Sequence, residues 1–420
     1  METMEINKAP NEEYLEMMFV KETATGKGLN EQFIMENLHD GTFKKTKGRV
    51  NITVGIHKPV SYIRPISEWD LTYSKAMSLG FKIISQKKRE IKTVTKGGNS
   101  INGLSFKDMA SKAVQDMMNR LIGAASQLIS KSYTIRVEDV SPEMLQGGKE
   151  ILDELALGYE KMSVAEFNNK LKLLFATIPR RIDNLSKSLA IKTSDFRDII
   201  AKEQELYDIL KSQAEDLSKD DSNEKTLAEI YDLEWREVTD EEKDWIIKKM
   251  GSEGSRYVRA FKVINNKTEA RFNDFCKKEG FTDKKGIERL FHGSRTENFW
   301  SIITNGLTIN PTGVVITGKM FGNGTYFAPD ACKSMGYTSR YGSKWANGSS
   351  DTGILGIYKV AVGNPAAPSS AKAYNWSSLS KQGYHSVWCK RGGTIGLRMD
   401  EVVVYQDCQD TIEYLVEVKF

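Results

Sequence analysis

Leu290-Phe291-His292-Gly293-Ser294-Arg295 places an imidazole, a glycine and a hydroxyl side by side behind an apolar pair. A bare His-Gly-Ser is common, and a lone histidine is more often a satisfied polar residue than a functional one. The stretch gains meaning from its neighbours downstream. Gly318-Lys319-Met320-Phe321-Gly322-Asn323-Gly324-Thr325-Tyr326-Phe327-Ala328 comes next, then Lys333-Ser334-Met335-Gly336-Tyr337, and Asp400-Glu401-Val402-Val403-Val404-Tyr405 lies near the end of the chain. Around these motifs, Tyr257–Val263, Gly353–Val362, Glu401–Tyr405 and Ile412–Phe420 read as strands separated by Gly-rich turns. That texture predicts an α+β domain dominated by antiparallel sheet over 255–420.

Two further segments precede it. A chain of 420 residues is too long for one ordinary core, and two or three domains are expected. Residues 1–100 carry short β-branched and aromatic runs between turn signals (Tyr14–Val20, Gln32–Met35, Arg49–Val54), which predict a small antiparallel sheet. A helix is predicted near Trp69–Met77, and Lys96-Gly97-Gly98-Asn99-Ser100 reads as a linker. Residues 104–250 read as a helical bundle. Phe106, Met109, Ala110, Ala113, Met117 and Leu121 recur at three- and four-residue steps, as do Ile151, Leu152, Leu155 and then Phe167, Leu171, Leu174, Phe175. Pro179 closes that last run, a further helix is predicted from Phe196 through Leu210, and Lys219–Asn223 is a polar break.

Composition limits the function classes. Apolar residues are 40% and charged ones 28%, and no run approaches the length of a membrane span. The opening Met1-Glu2-Thr3-Met4-Glu5 has no apolar core of a signal peptide. Cys276, Cys332, Cys389 and Cys408 are scattered without a C-x-x-C pair, so no metal module or disulfide framework is expected, and an intracellular setting is. Net charge is only +4, but residues 41–100 hold 13 Lys/Arg against 3 Asp/Glu. Such a stretch is either a solvated basic surface or a phosphate-binding face.

In order and spacing, the C-terminal motifs closely resemble the poly(ADP-ribose) polymerase catalytic domain, over roughly Val258–Phe420. The resemblance implies a split, strongly bent antiparallel sheet that binds NAD+ as a consumed substrate, so that no recycled cofactor is expected. No G-x-G-x-x-G opens a helix after a strand, which argues against a dehydrogenase. It also implies a catalytic set of His292, Tyr326 and Glu401, and NAD+ contacts from His292, Gly293, Ser294, Tyr326, Lys333, Ser334 and Tyr337. Tyr337 would stack on nicotinamide with Tyr326 lining the pocket. The Gly293 backbone and the Ser334 hydroxyl would take the amide, and His292 the adenosine ribose. Loss of nicotinamide leaves an oxocarbenium-like ribose, and the chemistry asks for a negative group beside it. A carboxylate about 4 Å away at an effective dielectric near 20 is worth roughly 4 kcal/mol, about a thousandfold in rate. In the family the matching glutamate also activates the acceptor hydroxyl, so retaining Glu401 favours polymer synthesis. Thr308 stands in Gly306-Leu307-Thr308-Ile309 where many relatives have arginine, which puts adenine and phosphate contacts there in question.

The same resemblance organises the rest of the chain. DNA-dependent members carry a helical regulatory domain before the catalytic domain, and Phe175–Pro179 resembles its Leu/Ile-Pro motif. There it blocks NAD+ entry until DNA loosens it. Residues 1–100 resemble a WGR domain, with Lys47-Gly48-Arg49-Val50 in place of Trp-Gly-Arg and with Lys75 on the helix beyond it. The implied DNA contacts are Lys47, Gly48, Arg49 and Lys75. The expected partners are DNA strand breaks and protein acceptors, the protein itself included. No membrane is expected, and a monomer on DNA is. The compartment would be the nucleus in a eukaryote and the cytoplasm or nucleoid in a bacterium. Two rival readings remain: DNA-independent mono-ADP-ribosyl transfer, and an inactive nucleic-acid-binding scaffold.

Overall fold

Alternate residues of Glu31–Asn37 are buried, the period of a strand with one covered face. This strand is β2, and it sits with β1 (Tyr14–Lys21), β3 (Thr42–Arg49), β4 (Val60–Pro65) and β5 (Lys82–Lys88) in an antiparallel five-stranded sheet of order β4-β3-β2-β1-β5. Helix α1 (Trp69–Ser78) covers one face of it. Trp69 and Ala76 bury against Phe19, Phe33, Met35, Phe43 and Phe81, and the Phe43 ring meets Trp69 edge-on at 5.3 Å. The computed structural model describes residues 14–21, 31–38, 40–49, 59–88, 99–101, 104–135, 137–181, 188–216, 225–309, 320–338, 351–393 and 395–420. Most of the run expected as a strand over Arg49–Val54 lies outside those residues, as does the polar break at Lys219–Asn223.

Contacts divide the chain into two compact units, one of Met1–Gly97 with Ile129–Tyr207 and one of Gly98–Leu128 with Asp208–Phe420. One cut, between Gly97 and Gly98, falls near the expected boundary at 100, and the other two fall within the stretch read as helical. The stretch read as a linker contributes Asn99–Ile101 to a hairpin, β6, paired with β7 (Leu104–Phe106). The helix expected from Phe106 therefore begins later, as α2 (Lys112–Ser132). Helix α3 (Pro142–Gly158) starts at Ser141, whose hydroxyl accepts from the Met144 N–H, and α4 (Val164–Thr177) starts in a Ser163–Glu166 capping box. Helix α4 stops two residues before Pro179, as its sequence predicts. Helix α5 (Phe196–Asp216) begins with Phe196 stacked on Phe167 at 3.9 Å.

Besides the β6–β7 hairpin, the second unit holds two larger sheets among the described residues. Helix α6 (Leu227–Tyr231) leads into β8 (Leu233–Glu237), α7 (Asp240–Met250), β9 (Tyr257–Asn265), α8 (Asn266–Glu279), β10 (Ile287–Gly293) and α9 (Thr296–Asn305). Then come β11 (Thr325–Phe327), α10 (Ala331–Met335), β12 (Thr352–Ala361), β13 (Pro365–Ala366), α11 (Trp376–Ser380), β14 (Ser386–Cys389), β15 (Glu401–Val404) and β16 (Asp410–Lys419). One sheet has the order β10-β12-β16-β9-β8 and the other β11-β15-β14-β13. The pairings are antiparallel except β13 with β14. Strand β8 lies within the segment read as helical, and its pairing with β9 extends the first sheet backward past residue 250. Val114, Met117, Met118, Leu121 and Ile122 of α2 share one buried cluster with Phe299, Trp300, Ile354, Tyr358 and Leu415. This part of α2 is thus core of the second unit. Among the described residues no helix is long and apolar enough to cross a membrane.

Candidate active site

A backbone bridge joins the two larger sheets of the second unit. Phe291 and Ala328 exchange backbone hydrogen bonds at 2.8 and 2.9 Å, joining the end of β10 to the end of β11. This bridge brings the His292 strand beside the Tyr326 strand, and Nδ1 of His292 sits 2.9 Å from the Tyr326 carbonyl. A carbonyl only accepts, so the imidazole donates from Nδ1, which leaves the acceptor lone pair of the neutral ring on Nε2. Phe327 and Tyr358 hold the ring edge-on at 5.7 and 5.9 Å.

Gly293 and Ser334 are brought together by backbone contact. A Cβ at residue 293 would lie 1.8 Å from the Ser334 carbonyl oxygen. The sequence assigns this glycine to close approach by a ligand; the packing of α10 on the strand end already requires it. The Ser334 hydroxyl is buried and donates to the Phe291 carbonyl at 3.1 Å. Ser294 sits on the next turn, where its Oγ accepts from Asn298 Nδ2 at 2.9 Å. Tyr337 lies just past α10 and is 62% exposed as a residue.

Glu401 opens β15, which pairs with β11 so that Val402 and Val403 face Phe327 and Tyr326. Its carboxylate meets Lys333 Nζ at 2.8 Å, with the two side chains 12% and 17% exposed. The same ammonium donates to the Asp400 carbonyl at 3.3 Å. Burial and then the Glu401 charge raise the Tyr337 pKa, and for Tyr326 burial is again the main cause with Glu401 adding to it. Both phenols therefore stay neutral and within electrostatic reach of the carboxylate. The Tyr326 hydroxyl donates to the Gly322 carbonyl at 2.9 Å and accepts from the Phe321 N–H at 3.0 Å. Gly322 and Gly324 are there for packing. A Cβ on the first would lie 2.5 Å from the Tyr374 carbonyl oxygen, and on the second 2.4 Å from that of Val404.

The structure thus brings His292, Gly293, Tyr326, Lys333, Ser334, Tyr337 and Glu401 to one junction. Gly318 and Lys319 lie outside the described residues. Asp400 stands in its motif without a role assigned from sequence. It accepts from Trp388 Nε1 at 2.9 Å and the Arg391 N–H at 2.8 Å and pairs with Lys390 at 3.2 Å, which fixes the entry to β15. Nothing in the spacing of Trp388 and Asp400 announced this. His385 has a structural place: its Nδ1 accepts from the Asn364 N–H at 3.1 Å. Thr308 is exposed. In the first unit, Lys47 on β3 and Lys75 on α1 are exposed, and a Cβ on Gly48 would meet Pro59 at 3.2 Å. The Arg49 side chain lies outside the described residues.

The sequence model of the poly(ADP-ribose) polymerase catalytic domain matches residues 246–395. The poly [ADP-ribose] polymerase-like protein 100L of Invertebrate iridescent virus 6 is 30% identical over 167 residues, which are 38% of this chain and 84% of the viral protein. The chain belongs to the poly(ADP-ribose) polymerase family. Its enzyme class is accordingly NAD+ ADP-ribosyl transfer. Poly [ADP-ribose] polymerase of Drosophila melanogaster is 31% identical over 191 residues, 39% of this chain and 18% of that enzyme. Human poly [ADP-ribose] polymerase 2 is 32% identical over 158 residues, 31% of this chain and 26% of its own length. The matched catalytic stretch ends before Glu401. The link between that residue and the motif is its strand, which lies between β11 and β14 in the same sheet.

Proposed function

We propose that the junction of β10, β11, β15 and α10 binds NAD+ and transfers its ADP-ribose to protein acceptors, this protein among them, building polymer. The observation that carries this reading is the convergence of the Glu401–Lys333 pair on the strand that pairs with Tyr326, whose carbonyl holds His292. The exposed Tyr337 offers a stacking face for nicotinamide, and the Gly293 backbone with Ser334 lies beside it for the amide. Imidazole Nε2 of His292 accepts from a ribose hydroxyl. The C1′–N bond then breaks with its electron pair leaving on nicotinamide, and Glu401 faces the positive charge that develops on the ribose. The acceptor oxygen bonds C1′ and its proton passes to the Glu401 carboxylate. Lys333 holds that carboxylate in one orientation between turnovers.

The basic N-terminal sheet supports a second element of the proposal: strand breaks in DNA engage it through Lys47, Gly48, Arg49 and Lys75 and stimulate transfer, with a monomer on DNA. The test is incorporation of labelled NAD+ by the full chain, without DNA and with a duplex carrying a 5′-phosphorylated nick. DNA-stimulated, high-mass product is the expected result. Short product indifferent to DNA would reduce the function to mono-ADP-ribosyl transfer. NAD+ binding with no transfer at all would sink the role given to Glu401.

A further inference from the structure

Strands β14 and β15 are joined by the residues between Cys389 and Glu401, which stand opposite each other in the register. The connection is therefore rooted on the Glu401 rung. It is also held down. Ile395 and Leu397 pack against the cluster that buries Val387, Cys389, Val403 and Tyr405, the cluster Tyr326 packs on as well. The Gly392 N–H donates to the Leu397 carbonyl at 3.0 Å, which closes the neck of the loop and leaves Arg391 and Arg398 flanking it, one on each arm. At the base, the Asp400 carboxylate accepts from the Arg391 N–H at 2.8 Å and pairs with the Lys390 ammonium at 3.2 Å. Lys390, Arg391 and Arg398 are all exposed. Asp400 answers Lys390, and Glu401 answers Lys333. Arg391 and Arg398 have no carboxylate partner among the described residues.

Uncompensated guanidinium groups at one neck repel each other, and anionic groups brought between them remove that repulsion. Each guanidinium presents a planar fork that matches a carboxylate. Arg398 precedes Glu401 by three residues, so their backbones are at most about 10 Å apart. A chain that presents its reacting residue at Glu401 therefore passes the arginines about three residues away. The first transfer is made to a protein that carries no ADP-ribose yet, so it is recognised by its own side chains. We propose that Arg391 and Arg398 select protein acceptors that carry Asp or Glu within about three residues of the modified position. This rests on the reading that ADP-ribose is transferred at Glu401, and adds an acceptor preference to it.

The full chain is given labelled NAD+ and peptides with a central serine flanked by Asp and Glu, by Asn and Gln, or by Lys. Label on the peptide is measured beside nicotinamide release without peptide. The wild type is expected to favour the acidic peptide over the neutral one by about tenfold in kcat/KM, the loss of one charge-assisted hydrogen bond. Arg391→Ala with Arg398→Ala should level the two peptides and leave nicotinamide release unchanged. Arg391→Glu with Arg398→Glu should turn the preference toward the lysine-flanked peptide, which a merely structural role would not do. Both residues are exposed, so the variants should melt with the wild type. A wild type that releases nicotinamide but treats the peptides alike overturns the proposal while the transfer reading stands. So do alanine variants that start normally on the acidic peptide and only make shorter product, since the arginines would then serve the polymer. A wild type that releases no nicotinamide overturns both readings.

Discussion

Replacing Gly293 by alanine tests the geometry of the site without touching its chemistry. The substitution leaves the backbone N–H and C=O of residue 293 in place and adds one methyl. That methyl would lie 1.8 Å from the Ser334 carbonyl oxygen, 2.7 Å from its carbonyl carbon and 3.3 Å from its Cα. These are backbone atoms, so no side chain can turn aside. Reaching an ordinary contact of 3.4 Å requires β10 and α10 to part by about 1.6 Å. Helix α10 carries Lys333 and Ser334, so the movement pulls the ammonium from Glu401 and the hydroxyl from Phe291. Displacements of about 1 Å cost roughly a hundredfold where reacting groups must be aligned, and overpacking costs about 1–3 kcal/mol of stability. The assay is nicotinamide release under steady-state conditions alongside a thermal melt. Gly293→Ala should lose about a hundredfold or more in kcat/KM and melt earlier. Activity within a few-fold of wild type, at an unchanged melting temperature, would refute the argument.

Glu401→Gln should abolish elongation while leaving NAD+ binding largely intact, read by product length on a gel and by nucleotide titration; a mutant that still makes long polymer would remove Glu401 from the mechanism. A fragment beginning at residue 255 lacks β8 and the five buried α2 residues Val114, Met117, Met118, Leu121 and Ile122. At about 1.5–3 kcal/mol each, these are comparable to the whole net stability of a domain. The fragment should therefore bind hydrophobic dyes and show no cooperative melt; a sharp native-like transition would contradict this. Gly123, exposed in α2 with nothing within 4 Å of a Cβ, should gain about 0.5–1 kcal/mol as alanine, measured by denaturant unfolding. Glu242 accepts from Arg236 at 2.7 and 2.8 Å, which holds its carboxyl at about 2 against an ordinary 4.5. A pKa depressed on folding stabilises above the unfolded value, and that contribution fades as pH falls from about 4.5 through about 2. Glu242→Gln should flatten the acid limb of stability across that window.

Where local pattern and tertiary structure agree, the sequence was legible. The predicted strands at Tyr257–Val263 and Gly353–Val362 and the helix at Trp69–Met77 appear within a residue or two. The misreadings share a cause. Leu233–Glu237 alternates over only five residues between helical signals, and its partner β9 lies beyond α7, so nothing local marks it as sheet. Phe106 and Met109 fit the helical period of α2, yet the helix begins after them and Phe106 belongs to a hairpin. Periodicity says which residues are buried but leaves the partner open. It therefore could not show that the apolar face of α2 packs into the core of the second unit.

The site shows the same distinction between packing and chemistry. Gly293, Gly322 and Gly324 are required because backbone or neighbouring carbonyls occupy the space a side chain would need. A protein could keep all of them to preserve the fold after its activity was lost. Glu401 is different in kind. Placing its carboxylate in a largely buried position costs desolvation, which the ammonium of Lys333 at 2.8 Å offsets. An apolar pair would fill the same space at less cost, and packing alone gives no reason to keep the charges. Lys333 lies on α10 within the residues the family model matches and Glu401 on β15 beyond them, so the pair ties that strand to the matched part of the fold.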